Sequence, residues 1–261
     1  MDECAGLRGE LSFVRAAAFC GESTSIRALC RAVHDAAPAD IPVLITGEVG
    51  VGKTSVAALL HDLSRRSNER FIAVRCPSMP PTLHEATIFG YVEGAFTGGP
   101  VHITARCEAA DGGTLFVSGV DELSPDLQVK LLRLIEHGEY IPIGGISPRC
   151  SSVRILAGTT RELSEMVQRR GFNESLYRCL QATTIRVPPL RERAEDVVTL
   201  ARLFVSRLQG PLNRPEIGVS LDDARALMLH HWPGNLRELR CAIELAMITS
   251  KDGRTLNLRL S

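Results

Sequence analysis

Five short apolar runs, IPVLIT (41–46), FIAVRC (71–76), TLFV (114–117), VRILAGT (153–159) and TTIRV (183–187), are separated by segments long enough to hold a helix. Strands that are apolar at successive positions, rather than at every second one, belong to sheets buried on both faces. A parallel sheet with helices packed on either side supplies that environment. The chain is therefore expected to form a parallel-sheet α/β sandwich up to about residue 190. After Pro188-Pro189 the pattern becomes purely helical through EDVVTLARLFVSRL, SLDDARALMLHH and NLRELRCAIELAMIT. Ser220 caps the second of these helices, and Pro233-Gly234 separates the second from the third. The expected organisation is a flank over 1–20, an α/β nucleotide-binding part over 21–191, a small helical lid over 192–255 and a C-terminal flank over 256–261.

A chain of 261 residues can bury a substantial core without covalent staples. Its eight cysteines, Cys4, Cys20, Cys30, Cys76, Cys107, Cys150, Cys179 and Cys241, are scattered without a C-x-x-C pair or a Cys/His cluster. They read as free thiols and point to a reducing cytoplasm. The first twenty residues are interrupted by Glu3, Arg8, Glu10 and Arg15, and no later run approaches the length of a membrane span, so no membrane partner is expected. Thirty basic residues balance thirty acidic ones. That balance supplies no broad positive field for gripping nucleic acid, and DNA contact is assigned to a segment or partner outside this chain.

Between the first strand and the following helix stands GEVGVGKT: Gly47, Glu48, Val49, Gly50, Val51, Gly52, Lys53 and Thr54, with Ser55 next. It fits G-x-x-x-x-G-K-[ST] in the strand-to-helix context that pattern requires. Its glycines let backbone N–H groups turn toward phosphate oxygens, Lys53 reaches the terminal phosphates, and Thr54 at the helix N-terminus is the magnesium ligand. ATP or ADP is the expected ligand.

Four further stretches accompany this loop: FGYVEGAFTGG (Phe89 to Gly99), GGTLF followed at fixed distance by QVKLLR, VPPLRER (Val187 to Arg193) and WPGNLREL (Trp232 to Leu239). Together they resemble the central AAA+ domain of bacterial enhancer-binding proteins, the sigma-54-dependent transcription activators, from about Gly21 to the end of the chain. The resemblance implies the AAA+ P-loop NTPase fold and assembly into a ring. It also implies a loop, here Gly94, Ala95, Phe96, Thr97, Gly98 and Gly99, that presses on the sigma factor of sigma-54 RNA polymerase during ATP hydrolysis. By the same resemblance Thr159 is the sensor-like residue and Arg237 lies near the phosphates. The family's asparagine after that threonine is Thr160 here, and its alanine after GAFTG is Gly99.

The catalytic positions depart from the family. Where it reads GGTLFLDEIGELP, ungapped alignment puts Ser118 at the aspartate and Gly119 at the glutamate, while Asp121 and Glu122 match the following glycine and glutamate. Moving Asp121 into the aspartate position takes a slip of three residues, roughly 10 Å along a strand. The asparagine ending the second strand matches Arg75. The two arginines that reach a neighbouring subunit in FREDLYYRL match Asn173 and Cys179 of FNESLYRCL. Arg178 is one position away, about 100° around a helix. Since a trans arginine is worth about 10³–10⁵ in phosphoryl-transfer rate, the expectation is nucleotide binding with little or no hydrolysis. Magnesium binding should be weakened too, because a serine stands where the family supplies a carboxylate.

Three functional classes follow. The leading one is a hydrolysis-deficient nucleotide-binding regulator domain, assembling with itself or with a related active AAA+ activator subunit. The second is a working ATPase activator that uses displaced residues. The third is a ligand sensor taking a cyclic dinucleotide through arginines such as Arg15 and Arg207.

Overall fold

The computed structural model describes residues 17–92, 104–214, 217–250, 255–256 and 258. The loop Gly94–Gly99, expected to contact sigma factor, and Arg15 lie outside them. The chain forms two compact units, one from Ala32–Thr46 and Val56–Arg186, the other from Met1–Arg31, Gly47–Ser55 and Val187–Ser261.

The first unit holds the sheet. Its strands are β1 (Val43–Thr46), β2 (Phe71–Arg75), β3 (Thr114–Ser118), β6 (Arg154–Thr159) and β7 (Thr184–Arg186), all parallel and ordered β2-β3-β6-β1-β7. A small antiparallel pair, β4 (Glu139–Tyr140) and β5 (Arg149–Cys150), precedes β6. Each of the five apolar runs has become a strand of the parallel sheet. Position in the order explains the patterning: every residue of the inner strand β6 is buried, whereas the edge strands β2 and β7 each have one buried residue and leave two exposed.

Helices α1 (Thr24–Ala36), α2 (Lys53–Asp62), α3 (Pro81–Phe89), α4 (Arg106–Ala109), α5 (Pro125–His137), α6 (Leu163–Gln168) and α7 (Glu174–Gln181) connect the strands. In α5 the Ser124 hydroxyl accepts from Leu127 N–H, Pro125 opens the first turn, and Gly138 ends the helix in the left-handed region. Its Leu127, Leu131 and Leu134 recur on one face and are buried with Leu115, Val117 and Ile155 of the sheet. Each such leucine contributes about 1.5–3 kcal/mol on burial. Arg154 is the exception to an apolar β6. Its guanidinium donates to the carbonyls of Ala36 (2.9 Å), Ala37 (2.8 Å) and Ile41 (3.2 Å), tying the end of α1 to the sheet.

The second unit packs α8 (Val197–Leu208), α9 (Leu221–Leu229) and α10 (Asn235–Thr249) around Leu200, Phe204, Leu227, Trp232, Leu239 and Ile243. Ser220 caps α9 as expected and closes a reciprocal capping box: its hydroxyl accepts from Asp223 N–H at 3.1 Å and Asp223 Oδ2 accepts from Ser220 N–H at 2.9 Å. Two charged residues of the RERAED segment lie in this core. The Asp196 carboxylate accepts from Glu22 N–H (2.8 Å), Ser23 N–H (3.2 Å) and the Ser23 hydroxyl (2.5 Å), while Arg193 donates to the Ala18 carbonyl at 3.1 Å. Burial lowers the pKa of Arg193, and the nearby Asp196 charge opposes that shift.

Candidate nucleotide site and sheet edge

The phosphate loop follows β1 directly and runs into α2. Gly47, Gly50 and Gly52 all have positive φ. At Gly50 (φ 81°) the reason is close approach, since a Cβ there would collide with the Gly234 carbonyl oxygen. The Gly50 carbonyl in turn accepts from Leu236 N–H at 3.1 Å. Asn235, fully buried at the start of α10, donates from its amide to the Val49 carbonyl (3.0 Å) and to Glu48 Oε2 (3.2 Å), and its Oδ1 accepts from Leu190 N–H (2.7 Å). Arg191 completes the arrangement with a bidentate pair to Glu48 at 2.8 and 2.5 Å. The VPPLRER and WPGNLREL stretches thus both grip the loop. Within these stretches the resemblance points to Arg237, while Arg191 and Asn235 were missed, because nothing in the sequence pairs either with Glu48.

Lys53 Nζ donates to the carbonyls of Gly47 (2.6 Å) and Glu48 (2.9 Å), curling over the loop. A phosphate oxygen is a stronger, charged acceptor than either carbonyl, so the lysine is set to exchange them for phosphate. Val51 and Ser55 are buried beneath the loop, Val49 is exposed and Thr54 half-buried. Arg237 is exposed with its Cβ packed toward Gly50, and among the described residues it has no ion-pair partner. These residues fit a nucleotide's phosphates.

The C-terminal edge of the sheet carries the positions that the resemblance matches to catalytic residues. Arg75, Ser118 and Gly158 stand side by side at the ends of β2, β3 and β6, and Thr46 pairs with Thr159 across β1 and β6. The Thr159 hydroxyl is engaged locally, accepting from Arg161 N–H (3.0 Å) and donating to the Arg161 carbonyl (3.2 Å). Gly119 adopts the left-handed conformation (φ 79°, ψ 43°), its N–H donates to the Gly158 carbonyl at 2.7 Å, and a Cβ on it would lie 2.6 Å from Pro77 Cδ. Asp121 sits on the next single turn of 3-10 helix with its side chain 3% exposed. Its Oδ2 is 3.6 Å from Arg161 Nε, and its Oδ1 has no hydrogen-bond partner among the described residues. Glu122 is exposed.

Asn173 and Cys179, which the resemblance matches to the two arginines, make local structural contacts. Asn173 caps α7, its Oδ1 accepting from Leu176 N–H (2.9 Å), and its own N–H donates to Gln128 Oε1 (2.7 Å). Cys179 is half-buried, with its thiol pKa raised by burial and then by Glu136. Arg178 pairs with Glu174 one turn earlier (2.6 Å).

Magnesium is the metal that this fold family implies. The end of β3 offers a serine hydroxyl and a glycine, and the buried Asp121 carboxylate faces Arg161. Among the described residues no three His, Cys, Asp or Glu side chains form a metal-holding group. The donor set does not fit a carboxylate-held magnesium ion.

A family model described as the sigma-54 interaction domain matches residues 19–186, and one described as the AAA+ ATPase lid domain matches 191–260. The chain belongs to the sigma-54 interaction domain family. The Nif-specific regulatory protein of Azotobacter vinelandii is 39% identical over 233 residues, which are 89% of this chain and 44% of that protein. The DNA-binding transcriptional regulator NtrC of Rhizobium meliloti is 40% identical over 222 residues, 84% of this chain and 45% of that one. The chain therefore spans less than half the length of these curated relatives. Among solved structures, NtrX from Brucella abortus in complex with ATP superposes with TM-score 0.82 at 28% identity, covering 94% of this chain and 53% of NtrX, and its ADP complex with TM-score 0.83. The AAA+ P-loop NTPase fold expected from the sequence is the fold of this sigma-54 interaction domain.

Proposed function

We propose that this sigma-54 interaction domain binds ATP or ADP through Gly47–Thr54, turns it over little or not at all, and serves as a regulatory subunit of a cytoplasmic sigma-54-type transcription regulator. The observation that carries the reading is the contrast between its two halves. The phosphate loop is held by Arg191, Asn235 and Leu236, with Lys53 donating to two loop carbonyls that a phosphate can replace, whereas the end of β3 presents Ser118 and a Gly119 whose backbone excludes a side chain. The ATP and ADP complexes of the NtrX relative support nucleotide as the ligand. Hydrolysis needs a base or positioning group for water and charge stabilisation at the transferring phosphoryl group, and those positions carry Gly119, Ser118, Asn173 and Cys179.

On this reading the domain's partners are sigma-54 RNA polymerase and a related active AAA+ subunit that supplies arginines to a mixed ring, with DNA reached through another segment or partner. The test is open-complex formation at a sigma-54 promoter with ATP, using the domain alone and then mixed with an active relative. The expected result is no open complex from the domain alone and an altered yield in the mixture. ATP-dependent open complexes from the domain alone contradict the proposal.

A further inference from the structure

The stretch Gly47–Ser55 has two charged side chains, Glu48 and Lys53, and their charges cancel. A loop that holds the negative phosphates of a nucleotide gains from positive charge, and a carboxylate within it repels them. The Glu48 carboxylate is met by Arg191: one guanidinium nitrogen donates to Oε2 at 2.8 Å and the other to Oε1 at 2.5 Å. With Arg191 counted, the two cations and one anion leave the site a net charge of one toward positive.

The backbone around Arg191 fixes it in that place. Leu190 N–H donates to Oδ1 of the buried Asn235 at 2.7 Å, and the Asn235 amide donates to Glu48 Oε2 at 3.2 Å, so Leu190, Asn235 and Glu48 form one hydrogen-bonded junction. The loop, Arg191 and Asn235 all belong to the same compact unit. A planar guanidinium matches both carboxylate oxygens at once, which fixes the Glu48 carboxylate in direction as well as in charge. The side chains of Arg191 and Glu48 are 45% and 41% exposed. A pair that open to solvent adds little to folding, yet its charge balance still acts on an anion arriving at the loop.

We infer that Arg191 is a positioning residue for nucleotide affinity: it acts through Glu48, neutralising and orienting the carboxylate that the phosphate loop would otherwise turn against a polyphosphate. This rests on the nucleotide-binding reading above. Its consequence is a preference graded by phosphate charge, since each further negative charge on the ligand meets the same balance of Glu48, Lys53 and Arg191.

Titration calorimetry with ADP and ATP tests it, on the purified chain and on Arg191→Ala, Arg191→Lys, Glu48→Gln, the Arg191→Ala/Glu48→Gln double variant and Lys53→Ala. Arg191→Ala should weaken ADP binding by about tenfold, the order expected for one uncompensated charge beside a partly solvated loop, and weaken ATP binding more. Arg191→Lys keeps the charge and should retain most of the affinity. Glu48→Gln should bind more tightly than the unmodified chain, and the double variant should recover most of what Arg191→Ala loses. The double variant lacks the ion pair as Arg191→Ala does, so its recovery separates a charge effect from a folding one, with melting temperatures recorded beside it. Raising the ionic strength from about 0.1 to 1 M, which shortens the screening length from about 10 to 3 Å, should shrink the Arg191→Ala loss. If Arg191→Ala leaves ADP affinity unchanged, or if the double variant binds as weakly as Arg191→Ala, the inference is overturned while the nucleotide reading stands. If the unmodified chain shows no binding that Lys53→Ala abolishes, the nucleotide reading itself falls and takes the inference with it.

Discussion

Restoring the family's acids should damage this domain rather than activate it, and Gly119 is where the damage can be measured. Gly119 has φ 79°, and an added Cβ would sit 2.6 Å from Pro77 Cδ and 2.8 Å from Cγ. Holding an L-residue in the left-handed region costs about 1–2 kcal/mol, and overpacking against a rigid ring about 1–3 kcal/mol. Gly119→Glu should therefore destabilise by about 2–5 kcal/mol, lowering the melting temperature by about 5–15 °C for a chain of this size. Adding Pro77→Ala removes the ring and should return the overpacking share, so the two substitutions should show a coupling of about 1–3 kcal/mol in a double-mutant cycle. The assay is denaturant and thermal unfolding of the four chains, with phosphate release measured beside it. Ser118→Asp with Gly119→Glu should stay inactive with or without the Pro77 change, because Arg75, Asn173 and Cys179 remain. A Gly119→Glu chain that melts within 1–2 °C of the parent, or strictly additive effects of the two substitutions, would refute the steric argument.

Lys53→Ala should weaken nucleotide binding by about tenfold or more, since each charge-assisted contact to phosphate is worth about 1.5–3 kcal/mol, as read by calorimetry. Asp196→Ala strips three hydrogen bonds from residues 22 and 23 and leaves the buried Arg193 without the charge that opposes its burial, so a loss of about 3–5 kcal/mol in unfolding free energy is expected. Burial pushes the thiols of Cys76 and Cys107 up to about 12, so at pH 8 a native-state alkylating reagent should label the exposed Cys30, Cys150 and Cys241 and spare these two until the protein unfolds. The Arg66 hydrogen bonds hold the Asp40 carboxyl below its ordinary 3.8. The pair's contribution is thus present above that value and lost as pH falls through the lower folded value, and the stability gap between the parent and Asp40→Asn should close on acidification below 3.8.

The strands were legible because their physical signal is local: a short, nearly continuous apolar run bounded by turn residues suits a doubly covered sheet, and IPVLIT, TLFV and the RILA of VRILAGT, Arg154 apart, are that kind of run. The Ser220 cap and the glycine-rich loop were legible for the same reason, each being a short pattern with a backbone requirement. What escaped the sequence depends on pairs far apart in the chain. Pro77 and Gly119 are each ordinary alone, and only their meeting at neighbouring strand ends makes the position closed to a side chain. Arg193 and Asp196 of RERAED are buried because residues 18–23 fold onto them, a pairing no local pattern announces. The cap formed by Asn173 could have been found, since an asparagine opening ESLYRCLQ is a standard helix-start signal. The β4–β5 pair has two residues per strand, too short to give a periodic signal.

The central claim is that nucleotide binds without being turned over, and steady-state phosphate release by the purified domain tests it most directly. The measurement uses saturating ATP with magnesium, on the unmodified chain and Lys53→Ala prepared identically, after calorimetry has shown that the unmodified chain is occupied. The account predicts that the two release rates coincide, leaving only the background of the preparation. A rate that disappears with Lys53→Ala and stands at the level of an active sigma-54 activator would contradict it.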